Sequence, residues 1–132
     1  MKLGYTIAYV PDVAQSLAFF AAAFGLRQRF LHESGTYCEL DTGATTLAFA
    51  ACELAANNVP GGVLAACDSA RPLGVEVALV TDDVASAHRT ALAHGAKELA
   101  APAQKPWGQT VSYLRAPDGL LIELCSPMPS AS

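Results

Sequence analysis

Residues 5–14, YTIAYVPDVA, return 71 positions later as residues 76–85, EVALVTDDVA, and both copies end in Asp-Val-Ala. In each copy an apolar run of strand character reaches an aspartate that opens an apolar-periodic segment, and each segment closes on a glycine, Gly25 or Gly95. An Asp side chain satisfies the first free N–H groups of a helix, and glycine tolerates the left-handed backbone that ends one. Each copy therefore predicts strand, N-cap, helix and C-cap. Asp12 and Gln15 have capping-box spacing, and Val13, Leu17, Phe20 and Phe24 recur on one helical face. That face needs a sheet to cover it.

Beyond each helix the period changes from 3.6 to 2. Arg27 to Glu33, Tyr37 to Asp41 and Thr45 to Ala50 read as strands separated by Ser34-Gly35 and Asp41-Thr42-Gly43 turns. Lys97 to Ala100, Thr110 to Arg115 and Leu120 to Cys125 repeat the order, with the turn Ala116-Pro117-Asp118-Gly119 before the last. The expected fold is α+β: two βαβββ modules forming curved mixed sheets around a cavity, helices outside. One such unit cannot bury both faces of its sheet alone. Module 1 covers about residues 4–51, a linker about 52–73, and module 2 about 74–127 of a single domain spanning 1–132. Within the linker a helical turn is expected around Val63 to Cys67, and Ser126 to Ser132 reads as a frayed tail.

With 52% hydrophobic and 15% charged residues, the chain lies far from the composition of disordered segments. Its apolar excess invites a ligand cavity or a subunit interface. A net charge of −4 and no basic cluster beyond Arg27-Gln28-Arg29 argue against nucleic acid. No apolar stretch has the roughly 20 residues needed to span a bilayer, so no membrane is expected as a partner. The first residues lack the apolar core of a signal peptide, and Cys38, Cys52, Cys67 and Cys125 show no C-x-x-C spacing. These features suggest a cytoplasmic protein with reduced, mostly buried thiols.

Strand parity nominates the candidate site. In the last strand Leu120, Ile122 and Leu124 share one face, leaving Leu121, Glu123 and Cys125 on the other. The repeat makes Tyr5 equivalent to Glu76, and aligning the turn glycines Gly43 and Gly119 makes Leu47 equivalent to Glu123. Tyr5, Leu47, Glu76 and Glu123 are thus expected to converge, beside the apolar residues Ile7, Tyr9, Phe49 and Leu121. A mid-strand carboxylate among apolar neighbours is costly unless hydrated, paired or ligating. Two facing carboxylates could also share a proton, which makes Glu76 and Glu123 the candidate general acid and base.

The repeat, the Asp-capped helices and above all Pro106 to Leu124, PWGQTVSYLRAPDGLLIEL, resemble the vicinal oxygen chelate superfamily of glyoxalases, bleomycin resistance proteins and extradiol dioxygenases. A Pro-Asp-Gly turn followed by a strand with a central Glu is that superfamily's usual ending. The resemblance covers roughly residues 4–127. It implies paired modules, usually in a homodimer, around a cavity that in the enzymes holds a divalent metal. At the four positions of the glyoxalase-like ligand pattern this chain offers Tyr5, Leu47, Glu76 and Glu123, of which only the two glutamates are ordinary ligands. His32, His88 and His94 fall on none of them.

Two functions follow as expectations. The first is a small-molecule binding protein of the bleomycin-resistance kind, sequestering an apolar or aromatic compound in a dimeric cavity with no cofactor. Its ligand would touch Tyr5, Ile7, Leu47, Phe49, Glu76, Trp107 and Glu123. The alternative is a metal-dependent lyase, isomerase or dioxygenase-like enzyme with Zn, Ni, Mn or Fe on Glu76 and Glu123. Trp107, the only tryptophan, reads either as packing or as a stacking surface for a planar ligand. His88 and His94 read as surface residues, and Phe19, Phe20 and Phe24 as core. Nucleotide-binding, serine-hydrolase and zincin motifs are absent from the sequence.

Overall fold

The computed structural model describes residues 1–130, so the last two residues of the expected tail lie outside the described residues. The chain runs β1 (Tyr5–Val10), α1 (Val13–Phe24), β2 (Gln28–Leu31), β3 (Tyr37–Leu40), β4 (Thr46–Ala51), α2 (Cys52–Asn58), β5 (Glu76–Val80), α3 (Val84–Ala93), β6 (Lys97–Gln104), β7 (Thr110–Arg115) and β8 (Leu121–Cys125). Two four-stranded mixed sheets result, ordered β1-β4-β3-β2 and β5-β8-β7-β6. The repeated sequence is thus a repeated topology. In each sheet the first strand of its module lies parallel to the last, which only a crossover helix allows.

The two aspartate caps and the Gly25 stop are present, whereas α3 is closed by His94, with Gly95 following it at φ 107°. Asp12 accepts the Gln15 N–H at 3.1 Å and Asp83 accepts the Ser86 N–H at 3.0 Å. Gly25 closes α1 at φ 69°, in the left-handed region, where its N–H reaches the carbonyl of Ala21. Phe20 and Phe49, both fully buried, meet at a centroid distance of 4.9 Å, joining α1 to β4. One apolar core runs through both modules, from Val10, Phe20 and Phe49 to Leu114, Ile122 and Leu124. Helices α1 and α3 pack on each other across it.

Three expectations need correction. The linker carries its helix at Cys52–Asn58 and only a 3₁₀ turn at Ala66–Asp68, not a helical turn from Val63. The Gly61-Gly62 pair, both with positive φ, breaks the chain immediately before Val63. Strand β6 extends to Gln104, past the predicted end at Ala100, through two register irregularities. His88 is not a surface residue but is 3% exposed. Its Nδ1 lies 2.9 Å from the Ser112 hydroxyl and its Nε2 2.7 Å from Glu98, so polar partners on β7 and β6 compensate its burial.

The Pro-Asp-Gly turn ties the modules together. Asp118, 8% exposed, accepts the Ser16 hydroxyl of α1 at 2.7 Å and the Leu120 N–H at 3.2 Å. Burial holds its carboxyl above the ordinary range, partly offset by these hydrogen bonds. A carboxyl whose affinity for protons is higher in the folded state gives its full stability only at acid pH. That contribution is lost as pH rises through the folded pKa. Asp118→Asn keeps an acceptor for Leu120 without the charge, so its stability relative to the parent should rise between roughly pH 3 and pH 7. Asp118→Ala should lose about 1–3 kcal/mol through the unpaired N–H and hydroxyl. Urea unfolding at the two pH values tests both, and a pH-independent Asn-to-Asp difference would refute the charge argument.

Candidate functional site

Each sheet has one face on the helices and one open face. On module 1 the register groups Tyr5, Ile7 and Tyr9 with Thr46, Ala48 and Ala50, and with Tyr37 and Glu39 of β3. On module 2 it groups Glu76, Ala78 and Val80 with Leu121, Glu123 and Cys125, and with Val111 and Tyr113 of β7. The parity reading of β1, β5 and β8 therefore gives their faces correctly.

Glu76 and Glu123 do come together. They stand on the same face of the adjacent strands β5 and β8, and partial burial followed by the neighbouring Glu123 charge raises the Glu76 pKa above the ordinary range. Tyr113 donates its hydroxyl to Glu123 Oε1 at 2.8 Å, and holding that proton pushes the phenol up to about 12. Cys125 borders the same cluster. Burial and Glu123 raise its thiol pKa, which disfavours the thiolate a nucleophile needs. This arrangement can pass a proton between carboxyls or present hydrogen-bond acceptors to a ligand.

Leu47 and Phe49 turn the other way. Tyr5 pairs with Thr46, not Leu47, so Leu47 is 5% exposed in the core and Phe49 packs on Phe20 of α1. The residue equivalent to Glu123 is Ala48, because Ile7 pairs with Ala48 as Ala78 pairs with Glu123. The turn leading into β4 is one residue longer after its glycine than the turn into β8, and that shift defeats an alignment on Gly43 and Gly119. Leu47 and Glu76 border one cleft of about 310 Å³ between the modules, whereas Tyr5 and Glu123 stand on the open faces of different sheets.

Trp107 stands 56% exposed in the β6–β7 turn, its indole N–H donated to Gln109 at 2.8 Å. It lies at the end of the module 2 sheet opposite Glu76. Four polar residues escaped the sequence reading. Tyr113 was legible, since the hairpin turn at residues 116–119 sets Tyr113 opposite Glu123 by counting back. In module 1, Glu39 accepts from Tyr37 at 2.7 Å and from Arg29 at 3.0 Å. The Tyr37 bond, then Arg29, holds the Glu39 carboxyl below its usual range. Arg29 also donates to Thr46. Each module thus carries a Tyr–Glu pair on its open face, balanced by a cation in module 1 and joined by a second carboxyl in module 2.

The family profile of the Glyoxalase/Bleomycin resistance protein/Dioxygenase superfamily matches residues 2–124. The chain belongs to this superfamily. The glyoxalase-related enzyme from Fulvimarina pelagi has a TM-score of 0.81 at 19% identity, over 96% of this chain and 88% of that one. The superfamily enzyme from Burkholderia phytofirmans PsJN gives 0.78 at 20%, over 96% and 98%. TioX from Micromonospora sp. ML1 gives 0.70 at 19%, over 96% and 98%. At these identities the likeness shows the fold alone. No curated protein matches the chain.

The superfamily's enzymes imply a divalent ion, and the donors present do not fit one held firmly by this chain alone. Among the described residues no three His, Cys, Asp or Glu side chains form a metal-binding group. Glu76 and Glu123 supply two carboxylates, one oxygen of which already accepts from Tyr113. A divalent ion bound by a protein usually takes at least three side-chain or carbonyl ligands.

Proposed function

We propose that this chain binds a small apolar or aromatic molecule against the open faces of its sheets, with no resident metal, and that a second copy completes the enclosure. The observation that supports this reading is the chemistry of those faces. Tyr5 and Ile7 are 56% and 46% exposed, and Val80 is 66% exposed, although strand residues of this kind normally find cover. The polar groups beside them are largely paired to one another, as Arg29–Glu39–Tyr37 and as Glu123–Tyr113. A ligand there gains mainly by burying apolar surface, and the carboxyl pair offers a hydrogen-bonding handle. Among the described residues no helix is long and apolar enough to cross a membrane. A cytoplasmic location, which would keep the four cysteines as thiols, is part of the same proposal.

A second reading has one observation in its favour: Glu76 and Glu123 share one face of the adjacent strands β5 and β8, as a lyase or isomerase using paired carboxyls would require. Elemental analysis of protein purified without chelators, with light scattering on the same sample, separates the readings. Binding without metal predicts a dimer with far less than one equivalent of Zn, Ni, Mn or Fe. One retained equivalent would overturn it. In that case Glu76→Gln and Glu123→Gln should each release the ion, because each removes half of the anionic donors.

A further inference from the structure

We infer that the helix side of the molecule carries a second binding site, for a small organic amine held as its ammonium ion. A cavity of about 440 Å³ opens between α1, the Pro117–Asp118 turn and His94 at the end of α3. None of the residues bordering it belongs to an open face. Through Phe20 and Phe49, α1 covers the other face of the module 1 sheet, so that sheet separates this cavity from the ligand surface described above. The outer face of a surface helix normally carries charged residues, yet Val13–Phe24 contains none. Ala18 and Ala22, both exposed, give the cavity an apolar wall on α1, and Pro11 and Pro117 extend it.

The charges on its border have one sign. Asp12 and Asp118 line the cavity, and no Lys or Arg does. Asp118 decides the chemistry. Its Oδ2 accepts the Ser16 hydroxyl at 2.7 Å, and both residues border the cavity, so the carboxyl stands where the α1 wall meets the wall of the turn. Each of its oxygens accepts one bond, from Ser16 and from the Leu120 N–H, whereas a carboxylate has about four acceptor positions. Among the described residues the ion pairs are Arg29–Glu39 and His88–Glu98, so Asp118, nine-tenths buried, has no cation within 4 Å. His94 does not supply one: its Nδ1 is turned to the Thr90 carbonyl at 2.9 Å. A buried carboxylate without counter-charge is costly, and burial already lifts the Asp118 pKa. An ammonium group brings both the missing charge and N–H donors, while an apolar body behind it covers Ala18 and Ala22. An anion would meet two like charges. This site is independent of the Glu76–Glu123 cluster and stands whether or not a ligand binds on the open faces.

Benzylamine, ethylbenzene and benzoate, similar in size but carrying a positive, no and a negative charge, are the probes. Titrated into the intact protein at about pH 7 and followed by amide chemical shifts, benzylamine should give saturable changes at Gln15, Ala18 and Asp118. It should bind at least about tenfold more tightly than ethylbenzene, the scale of a hydrogen bond between charged groups. Benzoate should leave these amides unmoved. Asp118→Asn, checked for an unchanged fold by spectral dispersion, should bring benzylamine down to the level of ethylbenzene. Asp12→Asn keeps the helix cap and removes the exposed charge, so it should weaken benzylamine about twofold to fivefold and leave ethylbenzene unchanged. That variant carries the test if Asp118→Asn does not fold. Glu123→Gln should alter none of these shifts. Equal affinities of benzylamine and ethylbenzene, or a benzylamine affinity that neither aspartate variant lowers, would overturn the charge assignment. Shifts confined to the Glu76–Glu123 face, or lost in Glu123→Gln, would place the amine on the open face and overturn the site. Shifts that grow linearly without saturating would show only the general pull of a chain of net charge −4, and would overturn it too.

Discussion

Gly119→Ala should lose at least about 3 kcal/mol of folding stability, enough to lower the melting temperature by about 10 °C or more. Two costs combine at this position. Its φ of 93° is one that side chains with a Cβ rarely adopt, which by itself costs about 1–3 kcal/mol. A Cβ built there would also stand 2.4 Å from the Ala66 carbonyl carbon and 2.4 Å from the Cys67 nitrogen. Those atoms are backbone in a 3₁₀ turn that Arg115 grips by its carbonyls, so neither side can give way cheaply. Against a typical total of 5–15 kcal/mol the loss is severe. Gly35→Ala is the matched control. Gly35 has a similar φ of 73° with nothing within 4 Å of the added carbon, and should suffer the conformational cost alone. If urea unfolding gives the two variants equal losses, the close approach of the Pro-Asp-Gly turn to the linker is not made.

The contrast between what was legible in the sequence and what was not has a physical pattern. Local, periodic features were readable: Asp12 and Asp83 as caps, Gly25 as a helix stop, and the alternation that puts Glu76 and Glu123 on one open face. Each depends on a few neighbouring residues and on a fixed structural period. Register across strands was not readable from glycine alignment, because one extra residue in the turn before β4 reverses the faces of Leu47 and Phe49 while leaving the strand's composition unchanged. His88 shows a second limit. On the helix it reads as a surface histidine, and only the packing of α3 on β7 and β6 brings Ser112 and Glu98 to its two nitrogens. Tyr113 and Tyr37 were legible as partners of Glu123 and Glu39, one across a short hairpin and one two places back on the same strand, whereas Arg29 becomes visible as a partner of Glu39 only once the register of β2 on β3 is known. The linker is the least legible part. Its docking against the sheet comes from Arg115 and Gly119, both outside it in sequence.

Phe20→Ala should cost about 3–5 kcal/mol, the range for removing a buried aromatic ring from a core that cannot close over the space. Phe20 has no exposed surface, and its ring lies 4.9 Å from Phe49, 5.4 Å from Phe24 and 5.5 Å from Phe19. Phe19 and Phe24 belong to the same helix, so their edge-on contacts shape the helix face that meets the sheet. Phe49 lies on β4, so deleting Phe20 removes the direct aromatic bond between α1 and the module 1 sheet. The helix has other duties that depend on that anchorage. Ser16 on it holds Asp118 of the module 2 turn, and α1 packs on α3. A loosened α1 should therefore weaken the contact between modules as well as the core of one, and unfolding should remain a single transition because both modules share the same apolar cluster. Phe30, 44% exposed on β2, supplies the comparison, and its alanine variant should lose less than about 1 kcal/mol. Urea titrations followed by circular dichroism measure both. A Phe20→Ala loss no larger than that of Phe30→Ala would mean that the helix repacks freely on the sheet. Two separate transitions in the variant would mean that the modules fold as independent units and that the shared core contributes little to joining them.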